Sequence, residues 1–321
     1  MSILATPVAV AVLSRAMQVL VGLVERRRSK EKRALLPEFQ GTTSTMTVPT
    51  SIGPAPVVVY RSAPAPQERP PPVHVNFHGG GYILRLVGDD DPQCRFLAAT
   101  AGVVVLNVDY AVAPQHSFPE PPHQAYEVVD WVAKHGAENG WDGSRLTIGG
   151  QSAGAGLAAA VARQALERGG PRIALQVLHY PPLDLVTPAR DKRASIAKPM
   201  LRPWMTDIFD NAYVPDVGKR ADRLVSPANA LDTADLTGIA PALVITPEFD
   251  LLRAEGRRYA ERLREVGALI EHIDVPQVDH GYDLEDVEKA RGVYALIARH
   301  VKRATEATEA TEGRGPTRSS S

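Results

Sequence analysis

Four short stretches of this chain carry residue types that could move an acyl group. Gly150-Gln151-Ser152-Ala153-Gly154 reads G-x-S-x-G, one hydroxyl among small residues. It follows the β-suited run 145–149 and opens a helical pattern, "AGAGLAAAVARQALER". Strand, turn and helix in that order make a nucleophile elbow, a turn so sharp that the residues two before and two after the serine crowd together. Bulk there would clash, and glycine relieves it. A serine hydroxyl needs a base, and the base needs an orienting group. In a chain of this kind the acid and then the histidine follow the serine. "ALVITPEFD" ends a β-suited run on Asp250, with Glu248 and Glu255 as nearby alternatives. "LIEHIDV" and then "PQVDHGYD" supply His280. His272 falls inside that run, His179 precedes the acid and His300 comes late in a helix, so the expected set is Ser152, Asp250 and His280.

The fourth stretch is His78-Gly79-Gly80-Gly81, directly after the run "VHVNF". Glycines let backbone N–H groups close on an anion, as an oxyanion hole requires. A small-residue helix–sheet contact would explain G-x-S-x-G alone, and a plain glycine turn would explain HGGG alone. All four features in one order argue for catalysis. Gly154-Ala155-Gly156-Leu157-Ala158-Ala159 also matches G-x-G-x-x-A. A dinucleotide site, however, needs its first glycine directly after the strand and an acid ending the next one. There is no G-x-x-x-x-G-K, and the nine histidines show no ligand spacing with Cys or Glu. No cofactor, no metal and no nucleotide are expected.

These groups must be held by elements, and the composition permits a large core. The chain has 321 residues, 44% of them hydrophobic and 23% charged. A net charge of −1 implies no nucleic-acid partner. The single cysteine, Cys94, excludes an internal disulfide and reads as a small packed residue of a helix. β-suited runs recur at 56–60, 73–77, 103–108, 145–149, 173–179, 242–246 and 269–275. Several are almost wholly apolar, as strands covered on both faces are. Helical patterns lie between them: Tyr259, Leu263 and Val266 share one face, and Val287, Ala290, Tyr294, Ile297 and Val301 share another. The expectation is α/β, a mostly parallel sheet with helices on both faces, and the strand-turn-helix around the serine suits the α/β-hydrolase fold.

Two segments break the alternation, 1–45 and about 185–230, and are candidates for a separate layer. The tail, 304–321, has no aromatic or large aliphatic residue and is expected to lack structure. Residues 2–24 are mostly apolar and run into "ERRRSKEKR". As a helix they would reach about 34 Å, enough for a bilayer core. Arg15 and Gln18 inside the run oppose a span. A secretory signal would carry its positive charge before the apolar run. Ser14, Arg15, Gln18, Gly22 and Glu25 share one face, so an amphipathic cap helix is favoured over membrane contact through residues 1–30. Between Met200 and Tyr213, the residues Leu201, Trp204, Met205, Ile208, Phe209 and Tyr213 recur at helical spacing. Cap packing is favoured for them over an acyl-pocket wall, and the two roles are compatible.

With "HGGGYIL", "VVVLNVDYAVAPQHSFPEP", "GGQSAGAG", "PALVITPEFDLLRAEG" and "VDHGYD", residues 55–302 resemble the hormone-sensitive-lipase-like family of α/β-hydrolases. That resemblance implies the α/β-hydrolase fold with a helical cap, made of helices from 1–45 and an insertion at about 185–230 in a core of 46–303, and a carboxylesterase acting on short- to medium-chain acyl esters. It implies the triad Ser152, Asp250 and His280, and an oxyanion hole from Gly79, Gly80 and the N–H of Ala153. His78 would brace the glycine loop. The chain departs from the family at Gln151, where Asp is usual, and at Ala111 and Gln115, where Arg and Glu are usual. Two acids and a base are lost together, so these positions are expected to form one buried network. Arg85 stands where Gly is common and would narrow or charge the rim of the site. Other readings kept open are an amidase or transacylase with the same triad, a membrane-associated lipase, and a non-catalytic receptor on the same fold. The expected partner is a small-molecule ester in the cytoplasm, and a homodimer stays open.

Overall fold

The computed structural model describes residues 7–62 and 69–312. Apolar runs that can expose neither face belong in the middle of a sheet covered on both sides. β3 (Pro72–Phe77), β4 (Val104–Val108), β6 (Leu175–His179) and β7 (Ala242–Pro247) are such runs, buried at every residue. β5 (Asp142–Gln151) is buried from Arg145 onward. With β1 (Gly41–Val48), β2 (Ala55–Ser62) and β8 (Leu269–Val275) they form an eight-stranded sheet of order β1-β2-β4-β3-β5-β6-β7-β8. β2 runs antiparallel to its neighbours β1 and β4, and the pairings from β4 to β8 are parallel. This is the α/β-hydrolase sheet expected above.

Helices cover both faces. α3 (Glu120–Lys134), α5 (Ala153–Arg168) and α7 (Arg253–Glu265) bury Val128, Val129, Leu157, Val161, Tyr259 and Leu263 on one side. α2 (Asp91–Ala101) and α8 (Val287–Glu312) bury Leu97, Tyr294, Ile297 and Val301 on the other. Cys94 lies in α2 and is fully buried. The one-turn α4 (Gly136–Asn139) leads into β5. α1 (Pro7–Arg33) and α6 (Pro203–Tyr213) pack on each other above the sheet, Val10 meeting Ile208, Ala212, Ile83 and Ala113.

Three expectations change. The segment 1–45 ends inside β1, which pairs residue for residue with β2 from Gly41 to Val48. β1, "GTTSTMTV", is an edge strand exposed at five consecutive residues. It needs no apolar run, and its threonines were the available signal. The tail expected to begin at 304 is helical to Glu312, because Ala and Glu extend a helix already anchored by Ile297 and Val301. Thr305 and Thr308 are buried and return their hydroxyls to the Val301 and Ala304 carbonyls. The remainder of that expectation, 313–321, lies outside the described residues.

The third change concerns α1, whose expected polar stripe is split: Arg15 and Gly22 are exposed, while Ser14 is fully buried and Gln18 turns inward beside Val10, Leu13 and Met17. The Gln18 amide donates to the Ile83 and Ala113 carbonyls, both at 2.9 Å. Gln115 Nε2 donates back to Gln18 Oε1 at 2.8 Å. The loops ending in Ile83 and Ala113 present carbonyls that only a donor can satisfy, so Gln18 faces inward. Val8, Val12, Val19, Leu20, Leu23 and Val24 are left exposed, each by at least half. No described helix is long and apolar enough to cross a membrane.

Candidate active site

β5 delivers Gln151 to the end of the sheet and α5 begins at Ala153, so the chain reverses within one residue. That residue, Ser152, has φ 51° and ψ −122°, a left-side conformation costly for a non-glycine residue. Its N–H donates to the His179 carbonyl at 2.9 Å, and its own carbonyl receives Ala155 and Gly156 of the first turn of α5. The reversal presses α5 onto the end of β3. A side chain on Gly154 would begin 1.8 Å from the Phe77 carbonyl oxygen, which explains the stripped sequence around the serine. Ser152 thus sits at a helix N-terminus, the positive end of the helix dipole.

The sheet brings the other groups to the same edge. Asp250 follows β7 and His280 lies beyond β8. Ser152 Oγ is 2.9 Å from His280 Nε2, and His280 Nδ1 is 2.8 Å from Asp250 Oδ2. Asp250 is 1% exposed and its second oxygen accepts the Leu252 N–H at 2.9 Å, so its rotamer is held from both ends. The competing residues are occupied elsewhere. Glu255 accepts the Leu183 N–H at 2.7 Å and pairs with Lys192 at 2.7 Å. The Glu248 carboxylate accepts the Gln277 N–H. His272 meets Thr246, and His300 meets Glu271. His179 meets the Tyr282 hydroxyl, and burial pushes it down to about 4, which keeps it neutral beside the site.

The glycine loop lies against this group. A side chain on Gly79 would begin 3.7 Å from Ser152 Cβ. Gly80 has φ +115°, and its carbonyl accepts the N–H groups of Ile83 and Leu84, closing the turn. His78 stacks on Tyr110 at 4.3 Å, its Nδ1 lies 2.6 Å from the Gly79 carbonyl oxygen, and its own carbonyl accepts the Tyr110 hydroxyl at 3.0 Å. The loop is therefore braced from below. From above, the Phe209 ring of α6 covers Gly81 and the Met200 methyl covers Gly281, next to His280.

The single network expected for Gln151, Ala111 and Gln115 does not exist. Gln151 Nε2 donates to Asp283 Oδ2 at 2.8 Å and also to Gln93 Oε1, beneath the serine. Gln115 instead faces α1, through Gln18. The Ala111 N–H donates to Gln124. Three positions that depart together in sequence lie in separate places in space. The support under the site was missed in sequence, although Asp283 stands three residues after His280 in "HGYD". Asp283 accepts from Gln151, from Tyr294 at 3.0 Å and from Tyr180 at 2.7 Å. Tyr180 in turn lies 4.6 Å from the His280 ring. Burial, reinforced by Asp283, raises the Tyr180 hydroxyl well above its usual range, so it stays a donor.

An amide at 151 suits this pocket because it donates to a buried carboxylate. Gln151→Asp should lower the melting temperature by about 5 °C or more at pH 8, where two buried carboxylates would face each other. The loss should shrink toward pH 5, as one carboxyl takes up a proton, and should shrink in the Asp283→Asn background. An unchanged melting temperature at pH 8 would contradict the pairing. Arg85, expected at the rim, donates to Asp109 at 2.6 Å. It lines a cavity of about 340 Å³ beside α1, with Gln18, Val21 and Gln115.

A strained serine at a helix N-terminus, joined through an imidazole to a buried carboxylate at one edge of this sheet, defines an α/β-hydrolase. Residues 74–284 match the family model described as the alpha/beta hydrolase fold. The chain belongs to the hormone-sensitive-lipase-like family of ester hydrolases on this fold. It is 36% identical over 213 residues to the carboxylesterase NlhH of Mycobacterium tuberculosis, a match spanning 66% of either chain. It is 31% identical over 261 residues to the esterase LipI of the same organism, covering 80% of this chain and 79% of the relative. Among solved structures, the hyperthermophilic esterase of the archaeon Pyrobaculum calidifontis superposes with a TM-score of 0.78 at 31% identity, covering 92% of this chain and 98% of that one.

Proposed function

We propose that the protein is a serine carboxylesterase acting on short- to medium-chain acyl esters. The observation that carries this reading is the continuous hydrogen-bonded line Ser152–His280–Asp250, with the HGGG loop against the serine. His280 takes the Ser152 proton on Nε2 as Oγ attacks the ester carbonyl. Asp250 accepts from Nδ1, fixing the tautomer and stabilising the imidazolium. The N–H groups of Gly79, Gly80 and Ala153 receive the negative charge that develops on the carbonyl oxygen. The imidazolium then protonates the departing alkoxide, and the alcohol leaves an acyl-serine. Water, deprotonated by the same imidazole, attacks the acyl carbon and releases the acid.

Chain length follows from what stands over the site. Phe209 lies against Gly81 and Met200 against Gly281, and these cap side chains beside the serine support a limit on acyl length. A panel of p-nitrophenyl esters of increasing length, run beside matching anilides, tests the reading. We expect kcat/KM to peak at short or medium chains and to exceed that of the anilides by at least about a hundredfold. A maximum on the anilides would make the protein an amidase.

The pH dependence has a definite sign. Protonating His280 removes the base, so kcat/KM should fall through a single ionisation on the acid side. A rate that rises below about pH 5 would exclude a histidine base.

A further inference from the structure

We propose that α1 docks the enzyme on an anionic lipid surface. The outward side of α1 is a row of six large apolar side chains, from Val8 at 74% exposed to Leu23 at 75%. The helix cannot roll to hide them. Gln18 is tied to the Ile83 and Ala113 carbonyls, and Val10 is buried against Ile208 and Ala212. α6, packed against α1, adds the exposed Trp204 at 55%, and the segment just before it adds Met200 at 42%. Tryptophan is favoured at the level of lipid headgroups. The chain then continues without a break into residues 25–33, "ERRRSKEKR". This segment has six basic and two acidic residues, a net charge of +4, so the other residues together carry −5 of the chain's −1.

Those two features suit one occupant. An amphipathic helix with an apolar face and adjoining cations lies in the interface plane, its strength set by apolar burial plus attraction to anionic headgroups. A second copy of the chain could cover the apolar row, but its net charge of −1 offers the basic segment far less counter-charge than an anionic lipid surface does. Crossing the bilayer is not required, and no described helix is long and apolar enough for it. Lys32 donates to the Leu284 carbonyl, and the other basic residues of the segment are Arg26, Arg27, Arg28, Lys30 and Arg33. Docking would set the enzyme at a membrane, where apolar esters concentrate. It stands independently of the reaction assigned above.

The test is co-sedimentation of the full chain with vesicles of phosphatidylcholine, with and without a third of phosphatidylglycerol. Partitioning should be at least about tenfold stronger on the anionic vesicles and should weaken at high salt. Leu20→Glu combined with Leu23→Glu should lower it about tenfold while turnover of a soluble ester is retained, which reports the intact fold. Should that variant lose turnover, Arg26→Gln with Arg27→Gln and Arg28→Gln serves instead, and should abolish the preference for the anionic vesicles. Equal partitioning of wild type and variants would overturn the proposal. So would a protein that ignores vesicles but migrates as a dimer that Leu23→Glu converts to a monomer, in which case the occupant is a second copy.

Discussion

Ser152→Ala is expected to lower kcat by about ten-thousandfold or more while the melting temperature holds or rises. Among the described residues the hydroxyl bonds only to His280, and its backbone is strained at φ 51°, so its removal sacrifices chemistry and little packing. His280→Ala should cost about as much. The double variant should be scarcely worse than either, because the two residues act as one unit. Asp250→Asn should cost about ten-thousandfold with KM little changed, since an amide there favours the wrong imidazole tautomer. Glu255→Gln is the control. It should keep its turnover but lose stability, because Lys192 would be left buried against a neutral amide. A near-normal Asp250→Asn beside a dead Glu255→Gln would reassign the acid. Steady-state kinetics on one p-nitrophenyl ester and thermal melts read all of these.

Gly80→Val should lower kcat by at least about a hundredfold. Two independent obstacles meet there. The backbone has φ +115°, where a β-branched residue is heavily strained, and the first side-chain atom would fall 2.6 Å from the Leu84 carbonyl oxygen. Relieving either one moves the turn that aims the Gly79 and Gly80 N–H groups. Gly79→Ala is the informative contrast. Its side-chain atom would rest at ordinary distances from Gln151 and Ser152, 3.4 and 3.7 Å, so the loop should survive with a milder loss. Circular dichroism separates a displaced loop from an unfolded chain. Full activity in a folded Gly80→Val protein would reduce HGGG to a structural turn.

Most of the sheet was legible because burial on both faces leaves a local mark. The seven apolar runs are strands, and their alternation with helices set the class. The strand that was missed, β1, is the exposed edge, where no core demands apolar residues and threonine alone hints at extension. The helix past residue 304 was missed for a related reason. "ATEATEATE" cannot bury a core of its own, but α8 reaches it already formed. The acid was legible only in part, because Asp250, Glu248 and Glu255 lie within eight residues and spacing alone cannot rank three carboxylates. Tertiary hydrogen bonds separate them, giving Asp250 to the imidazole and Glu255 to Lys192 and the Leu183 backbone.

By itself the sequence determined what local chemistry writes into consecutive residues: a serine stripped of bulky neighbours after a strand, a triple glycine after another, a histidine beyond the last strand, and the alternation that aligns these loops at one sheet edge. Which distant groups meet was settled by packing in three dimensions. Gln151 turned out to serve Asp283 and Gln115 to serve Gln18, although the two positions depart from the family together. α1 was decided in the same way. Its hydrophobic pattern shows two faces and cannot say which one looks outward, because that depends on whether the surface beneath it offers apolar side chains or carbonyls in need of donors. The carbonyls of Ile83 and Ala113 drew Gln18 inward and left Val8, Val12, Val19, Leu20, Leu23 and Val24 facing out.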